Sequence, residues 1–168
     1  MPMTSTQGED SMKQGLNLFS AIMLIGMATP ALGQNASESD QKAAHDLQSK
    51  FVAAFNRQDA AGVAALFIED GVRVTPQGII KGRDAIRADL EKRFKANFRD
   101  ISIESQIIRV SKNGLWEAGE WSLKIGEKPA RGYFALTLVR EGNEFKYQSD
   151  VFNVAPAVPG EQQTTPQK

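Results

Sequence analysis

The chain has 168 residues, enough for one domain with a real core, and 41% hydrophobic against 24% charged residues is an ordinary globular balance. The formal net charge is zero, so no basic field favours nucleic acid, and no acidic tail is present. Cysteine is absent and there is one histidine, which excludes disulfides, thiolate zinc sites, a cysteine nucleophile, a lipid-modified cysteine and a multi-histidine metal centre.

Met12-Lys13 precedes an apolar run, Leu16 to Ala28, followed by Thr29-Pro30-Ala31-Leu32-Gly33-Gln34. One positive charge, a short apolar segment and small residues at Ala31 and Gly33 match a secretory signal. A bilayer needs ~20 apolar residues, and Gly26 and Pro30 interrupt this run, which disfavours an anchor. Glu9 and Asp10 are unusual at a signal start and are consistent with translation from Met12. Residues 1–33 are therefore expected to be a cleaved signal peptide, residues 34–40 a linker and residues 155–168, rich in Pro, Gln and Thr, a disordered tail. A secreted or periplasmic location follows, with no membrane attachment after cleavage.

Within residues 41–154, Ala44, Leu47, Phe51, Ala54 and Phe55 recur at helical spacing and predict a helix from Gln41 to Arg57. Asp59 is a good N-cap for a short second helix ending near Phe67. Glu69-Asp70-Gly71 reads as a turn and Val72 to Pro76 as a strand. A third helix, Arg83 to Lys95, would bury Ile86, Leu90 and Phe94. Beyond Asn97 the period changes to two. Ile101 and Ile103 begin a strand, Asn113-Gly114 is a hairpin turn, and strands follow at Leu115 to Ile125, Tyr133 to Arg140 and Phe145 to Val154. Three helices and a short hairpin, then four long antiparallel strands, imply an α+β fold, a curved sheet with helices on one face.

The Asn56–Asp59 pair, the Glu69-Asp70 turn, the Thr75-Pro76 strand end and the Lys81-Gly82-Arg83 helix start occur in an order that resembles the nuclear transport factor 2-like superfamily, in its SnoaL-like and ketosteroid-isomerase-like branch. The resemblance covers about Gln41 to Val154. It implies a cone-shaped, cystatin-like fold with a conical apolar pocket between the concave sheet face and the helices. Ketosteroid isomerases place a tyrosine, an aspartate base and a protonated aspartate in that pocket. Carried over, the tyrosine falls on Phe51, the base on Thr75 and the second aspartate near Phe134 or Ala135. Phenylalanine cannot donate to an oxyanion and threonine cannot take a proton at neutral pH. The resemblance therefore implies the fold without the isomerase chemistry.

Strand alternation sends Leu115, Glu117, Gly119, Trp121, Leu123 and Ile125 to one face, taken as concave. Glu117 is then either a pocket carboxylate able to act as acid or base, or a solvated residue at the sheet rim, the preferred reading. Trp121 is a pocket wall or plain core. Gly119 leaves space opposite a ligand or lets the sheet bend. Arg73 and Thr75 share one face of their strand. An outward, solvated Arg73 is preferred, because an inward one needs Glu117 or Asp150 as partner. On the last strand, periodicity favours burial of Phe145, Tyr147, Ser149 and Val151, whereas the resemblance favours Asp150 and Phe152; a β-bulge would reconcile them. His45 lies off the apolar stripe and reads as solvated.

The expected pocket comprises Phe51, Phe55, Arg73, Thr75, Gly119, Trp121, Leu123, Phe134, Asp150 and Phe152, with Asp150 and Glu117 as catalytic candidates. No metal or cofactor motif is present in the sequence. The leading expectation is an exported binding protein for a small, largely apolar molecule. The alternatives are a SnoaL-like cyclase or isomerase-type enzyme using a pocket carboxylate, and a homodimeric interaction module pairing through an outer sheet face that bears Trp116, Glu120, Tyr133 and Thr137.

Overall fold

A computed structural model describes residues 35–156 of the chain. The expected signal peptide and most of the expected tail lie outside the described residues. The first helix, α1 (Glu38–Asn56), starts three residues earlier than its apolar stripe suggests, because Ser37 caps it by accepting a hydrogen bond from Asp40 N. Within the segment expected to be a linker, Asn35 bridges to Arg109 and Ala36 is buried. Asp59 caps α2 (Ala60–Ala64) through Gly62 N at 2.7 Å, as its position predicts.

Phe67 begins β1 (Phe67–Thr75) instead of ending α2. The expected turn at Glu69-Asp70-Gly71 is a register irregularity within that strand. A short β2 (Gly78–Lys81) pairs with β1, and α3 (Arg83–Lys95) follows with the expected bounds. Gly82 adopts φ +86°, open to glycine at little cost, and its N–H donates to Gly71 O. The remaining strands are β3 (Phe98–Ser111), β4 (Gly114–Ile125), β5 (Lys128–Glu141) and β6 (Glu144–Phe152). The turn between β3 and β4 is Lys112-Asn113, one residue before the expected pair. Gly114 already belongs to β4, where a Cβ would stand 1.9 Å from Leu138 O.

The six strands form one sheet in the order β2-β1-β6-β5-β4-β3, antiparallel except for the parallel β1–β6 pair. The helices pack on one face, and the core lies between them and the sheet. Asn56 ties α1 to the sheet: its Nδ2 donates to Ile101 O, and its Oδ1 accepts from Ile101 N at 2.7 Å. Arg83 ties α3 to β1 by donating from Nη2 to Phe67 O at 2.7 Å.

A bulge near Gln148 decides the inner face of β6. Leu138 pairs with Tyr147, but the next residue back, Thr137, pairs with Ser149. Gln148 is therefore the extra residue, and the inward set changes from Phe145 and Tyr147 to Asp150 and Phe152. Both expectations for this strand hold, one on each side of the bulge, whereas Val151 is exposed and Ser149 only half-buried.

Candidate functional site

The inner sheet face and the helices line a half-open cavity of about 150 Å³. Its walls are mainly aromatic. Phe51 and Phe55 stand one turn apart on α1, with ring centroids 6.1 Å apart. Tyr147 meets Phe51 edge-on at 5.8 Å and Phe67 at 5.1 Å. Across the cavity, Trp121 and Phe152 make an edge contact at 6.0 Å, and Leu123 and Phe134 complete the wall from β4 and β5.

A polar cluster sits in this apolar surround. Arg73 is only 5% exposed, contrary to the expectation of a solvated residue. The reason is register: Arg73 on β1 pairs directly with Asp150 on β6, and its Nε donates to Asp150 Oδ2 at 2.9 Å. The burial of one charge is compensated by the other. Asp89 of α3 lies 3.7 Å from Arg73 Nη1 and accepts from Arg93 Nε at 2.7 Å. The guanidinium carbons of Arg73 and Arg93 stand 5.1 and 5.5 Å from the centroid of Phe152, within cation–π range. Arg73 Nη1 and Trp121 Nε1 are buried with no hydrogen-bond partner among the described residues.

Of the expected pocket residues, Phe51, Phe55, Arg73, Trp121, Leu123, Phe134, Asp150 and Phe152 line the cavity. Thr75 does not. Its Oγ1 donates to Gly78 O and accepts from Gln77 N, both at 3.1 Å, so it is buried while closing the β1–β2 turn. Gly119 also lies outside the lining: a Cβ there would stand 2.0 Å from Glu104 O on β3, so the glycine serves strand approach and not ligand space.

Glu117 is not a rim residue. It is 1% exposed, behind the cavity wall, where Ser105 Oγ donates to its Oε1 and Gln48 Nε2 approaches the same oxygen at 3.3 Å. Burial pushes its carboxyl above the ordinary glutamate value, while the Ser105 hydrogen bond and the field of His45 oppose that rise. Gln48 itself lines the cavity and connects it to Glu117.

Tyr147, Gln48, Arg93 and Asp89 were missed as site residues. Tyr147 was visible only as a buried position. Burial first, then the charges of Glu117 and Asp150, hold its hydroxyl well above the ordinary tyrosine range, so it remains a neutral phenol. The i, i+4 spacing of Asp89 and Arg93 signals an ion pair on α3, but not the face that carries it. Among the described residues no cluster of His, Asp or Glu could hold a metal ion.

A family model described as a SnoaL-like domain matches residues 49–144. No curated protein matches the chain. Several solved structures share its fold. A domain of unknown function with a cystatin-like fold from Nostoc punctiforme is 17% identical, with a TM-score of 0.63 over 73% of this chain and 82% of that one. An NTF-2-like protein of unknown function from Shewanella oneidensis is also 17% identical, with a TM-score of 0.61 over 67% and 98%. A ketosteroid isomerase-like protein from Erwinia carotovora atroseptica is 16% identical, with a TM-score of 0.63 over 72% and 100%.

Proposed function

Given that this chain belongs to the SnoaL-like domain family, in the nuclear transport factor 2-like superfamily, we propose that it is an exported protein that binds a small, largely apolar molecule in its cavity. The observation that carries this reading is the aromatic cavity together with the residues at the isomerase positions. Phe51 and Phe134 are apolar walls, and Thr75 is engaged in a turn. Concave, mainly apolar sites with a few polar groups are the common form of small-molecule sites. Titration with a neutral fluorescent apolar probe tests the reading. Wild type should bind it, and Ala130→Trp, which adds bulk to a half-buried lining position, should not. No binding by wild type, or equal binding by both, overturns the proposal. Export is supported by the Leu16–Ala28 run and the Ala31-Leu32-Gly33 site, and sequencing the exported N-terminus should give a start near Gln34.

An isomerase- or cyclase-type enzyme is a second reading. It draws on Glu117, a buried carboxyl linked to the cavity by Gln48. Asp150 supports it less, because Arg73 occupies one of its oxygens. A pH-rate profile governed by one carboxyl and abolished by Glu117→Gln would favour the enzyme. Homodimerisation through the outer sheet face is supported by Trp116, 39% exposed, and Tyr133, 55% exposed, on adjacent strands. Sedimentation of Trp116→Ser/Tyr133→Ser as a monomer, beside a dimeric wild type, would support it; a monomeric wild type would sink it.

A further inference from the structure

We infer that the open end of the cavity docks on the anionic surface of a lipid bilayer. The inference goes beyond the binding reading above and concerns the rim of the cavity, not its guest.

Three observations carry it. The first is where the cavity opens. Of its lining residues, Pro76, Gln77, Ile125 and Val154 are exposed, whereas Phe51, Phe55, Phe67 and Tyr147 are buried. The mouth therefore lies at the β1–β2 turn, the β4–β5 turn and the segment after β6. The end of α3 completes the rim. Arg93 Nη2 donates to Gln77 Oε1 at 3.4 Å, Gly126 N to Asn97 O at 2.9 Å and Ala155 N to Arg131 O at 2.8 Å, so these segments are joined into one edge.

The second is charge. Residues 92–100 and 124–131, which build much of that edge, carry seven Lys or Arg against two Asp or Glu. Residues 35–156 as a whole hold 18 and 17, so the remainder holds 11 against 15. A nearly neutral molecule is thus polarised, with its positive pole at the mouth. Asp100 and Glu127 are already matched there by Arg99 and Lys124. Lys92, Lys95, Lys128 and Arg131 are exposed and make no ion pair among the described residues. A field of this sign draws in anionic headgroups.

The third is the apolar surface inside the ring of cations. Ile125 and Val154 are exposed at the mouth. Lys128 stands directly opposite Ile125 in the β4–β5 ladder, so a cation and an apolar side chain share one face. A bilayer satisfies both, with headgroups for the lysines and the acyl boundary for the apolar side chains. A soluble polyanion matches only the charge. The bilayer is also the phase in which apolar molecules collect, so docking sets the mouth against it. The contact is peripheral and reversible, and it revises the sequence-based expectation of no membrane attachment after cleavage.

The test is flotation with vesicles of phosphatidylcholine alone and of phosphatidylcholine with about one-third phosphatidylglycerol. It uses wild type, Lys95→Gln/Lys128→Gln and Ile125→Ser. Lys42→Gln/Lys112→Gln, at the opposite end of α1 and of the β3–β4 pair, is the charge-matched control. All four proteins keep the same N-terminus, so any binding through the Leu16–Ala28 run is common to them. Wild type should bind the anionic vesicles about tenfold or more above the neutral ones, less so at high salt. The rim double variant should lose about 20-fold, roughly fivefold for each cation. Ile125→Ser should lose about threefold, for part of one apolar side chain, and the control less than that. Equal binding to both vesicle types, no binding, or equal losses in the rim and control variants overturns the docking. Polyglutamate that binds as tightly as the anionic vesicles, with Ile125→Ser unaffected, overturns the bilayer in favour of an acidic protein partner. None of these failures touches the binding reading, because titration with the apolar probe involves no vesicle.

Discussion

Glu117 shows how one buried group couples stability to pH. Its folded-state carboxyl titrates above its unfolded value, chiefly because burial disfavours the ionised form. The folded state therefore holds the proton more tightly than the unfolded chain. The resulting stabilisation is fully present below the ordinary glutamate value and is lost as pH rises through the elevated folded one. Glu117→Gln keeps an acceptor for Ser105 and Gln48 but removes the titration. Its melting temperature should equal or exceed wild type at pH 7, and the gap should close or reverse near pH 4. Thermal melts across that range check this, and a variant less stable than wild type at neutral pH alone would contradict it. The sequence exposed Glu117 as an anomaly on an apolar face, yet its neighbours lie far along the chain. Ser105 is on the adjacent strand and Gln48 is on α1, and no local pattern joins them.

At the level of elements, β3 and β4 approach too closely at Gly119 for any side chain. A Cβ there would meet Glu104 O at 2.0 Å and Ser105 Cα at 2.9 Å, and both are backbone atoms that cannot rotate away. Gly119→Ala should cost ~1–3 kcal/mol or more, the range of overpacking, with the ladder forced apart. Chemical denaturation measures the loss; a cost below about 0.5 kcal/mol, the scale of an ordinary surface change, would show that the strand yields freely. The same pair of strands carries a bulge between Ser105 and Ile107, and β6 carries another near Gln148. Strand existence was readable from alternation, because a pleat repeats every two residues. The bulges were not, since an inserted residue leaves the composition unchanged and only shifts which partner faces it. Asp150 and Phe152 reach the cavity solely because of the second bulge.

Across the whole molecule, the fold is that of the family, and Phe51, Thr75 and Phe134 stand at the positions that the resemblance to ketosteroid isomerases singles out. We expect no appreciable ketosteroid isomerase activity. Phe51, Thr75 and the Phe134–Ala135 region supply neither base nor oxyanion donor. Thr75→Asp alone should not create the activity, because such groups act as a set and Thr75 does not line the cavity. Incubation of both proteins with a 5-ene-3-ketosteroid, followed by absorbance of the conjugated enone, checks this. Turnover by the wild type would show that other residues supply the missing groups.

What the sequence determined by itself was local or periodic: the helical stripe of α1, the Asp59 cap, the bounds of α3, the run of long strands after Asn97, and the apolar walls at Phe51, Phe55, Trp121 and Leu123. Each depends on residues within a turn or a strand of one another, so neighbouring sequence suffices. Only the tertiary structure decided that Arg73 turns inward, that Glu117 is sealed behind the cavity wall, and that Thr75 and Gly119 serve a turn and a strand contact. An Arg73–Asp150 bond joins residues 77 positions apart. A charge is tolerated in a core only when such a partner arrives there, and its arrival is a property of strand order and register, which periodicity along the chain does not encode.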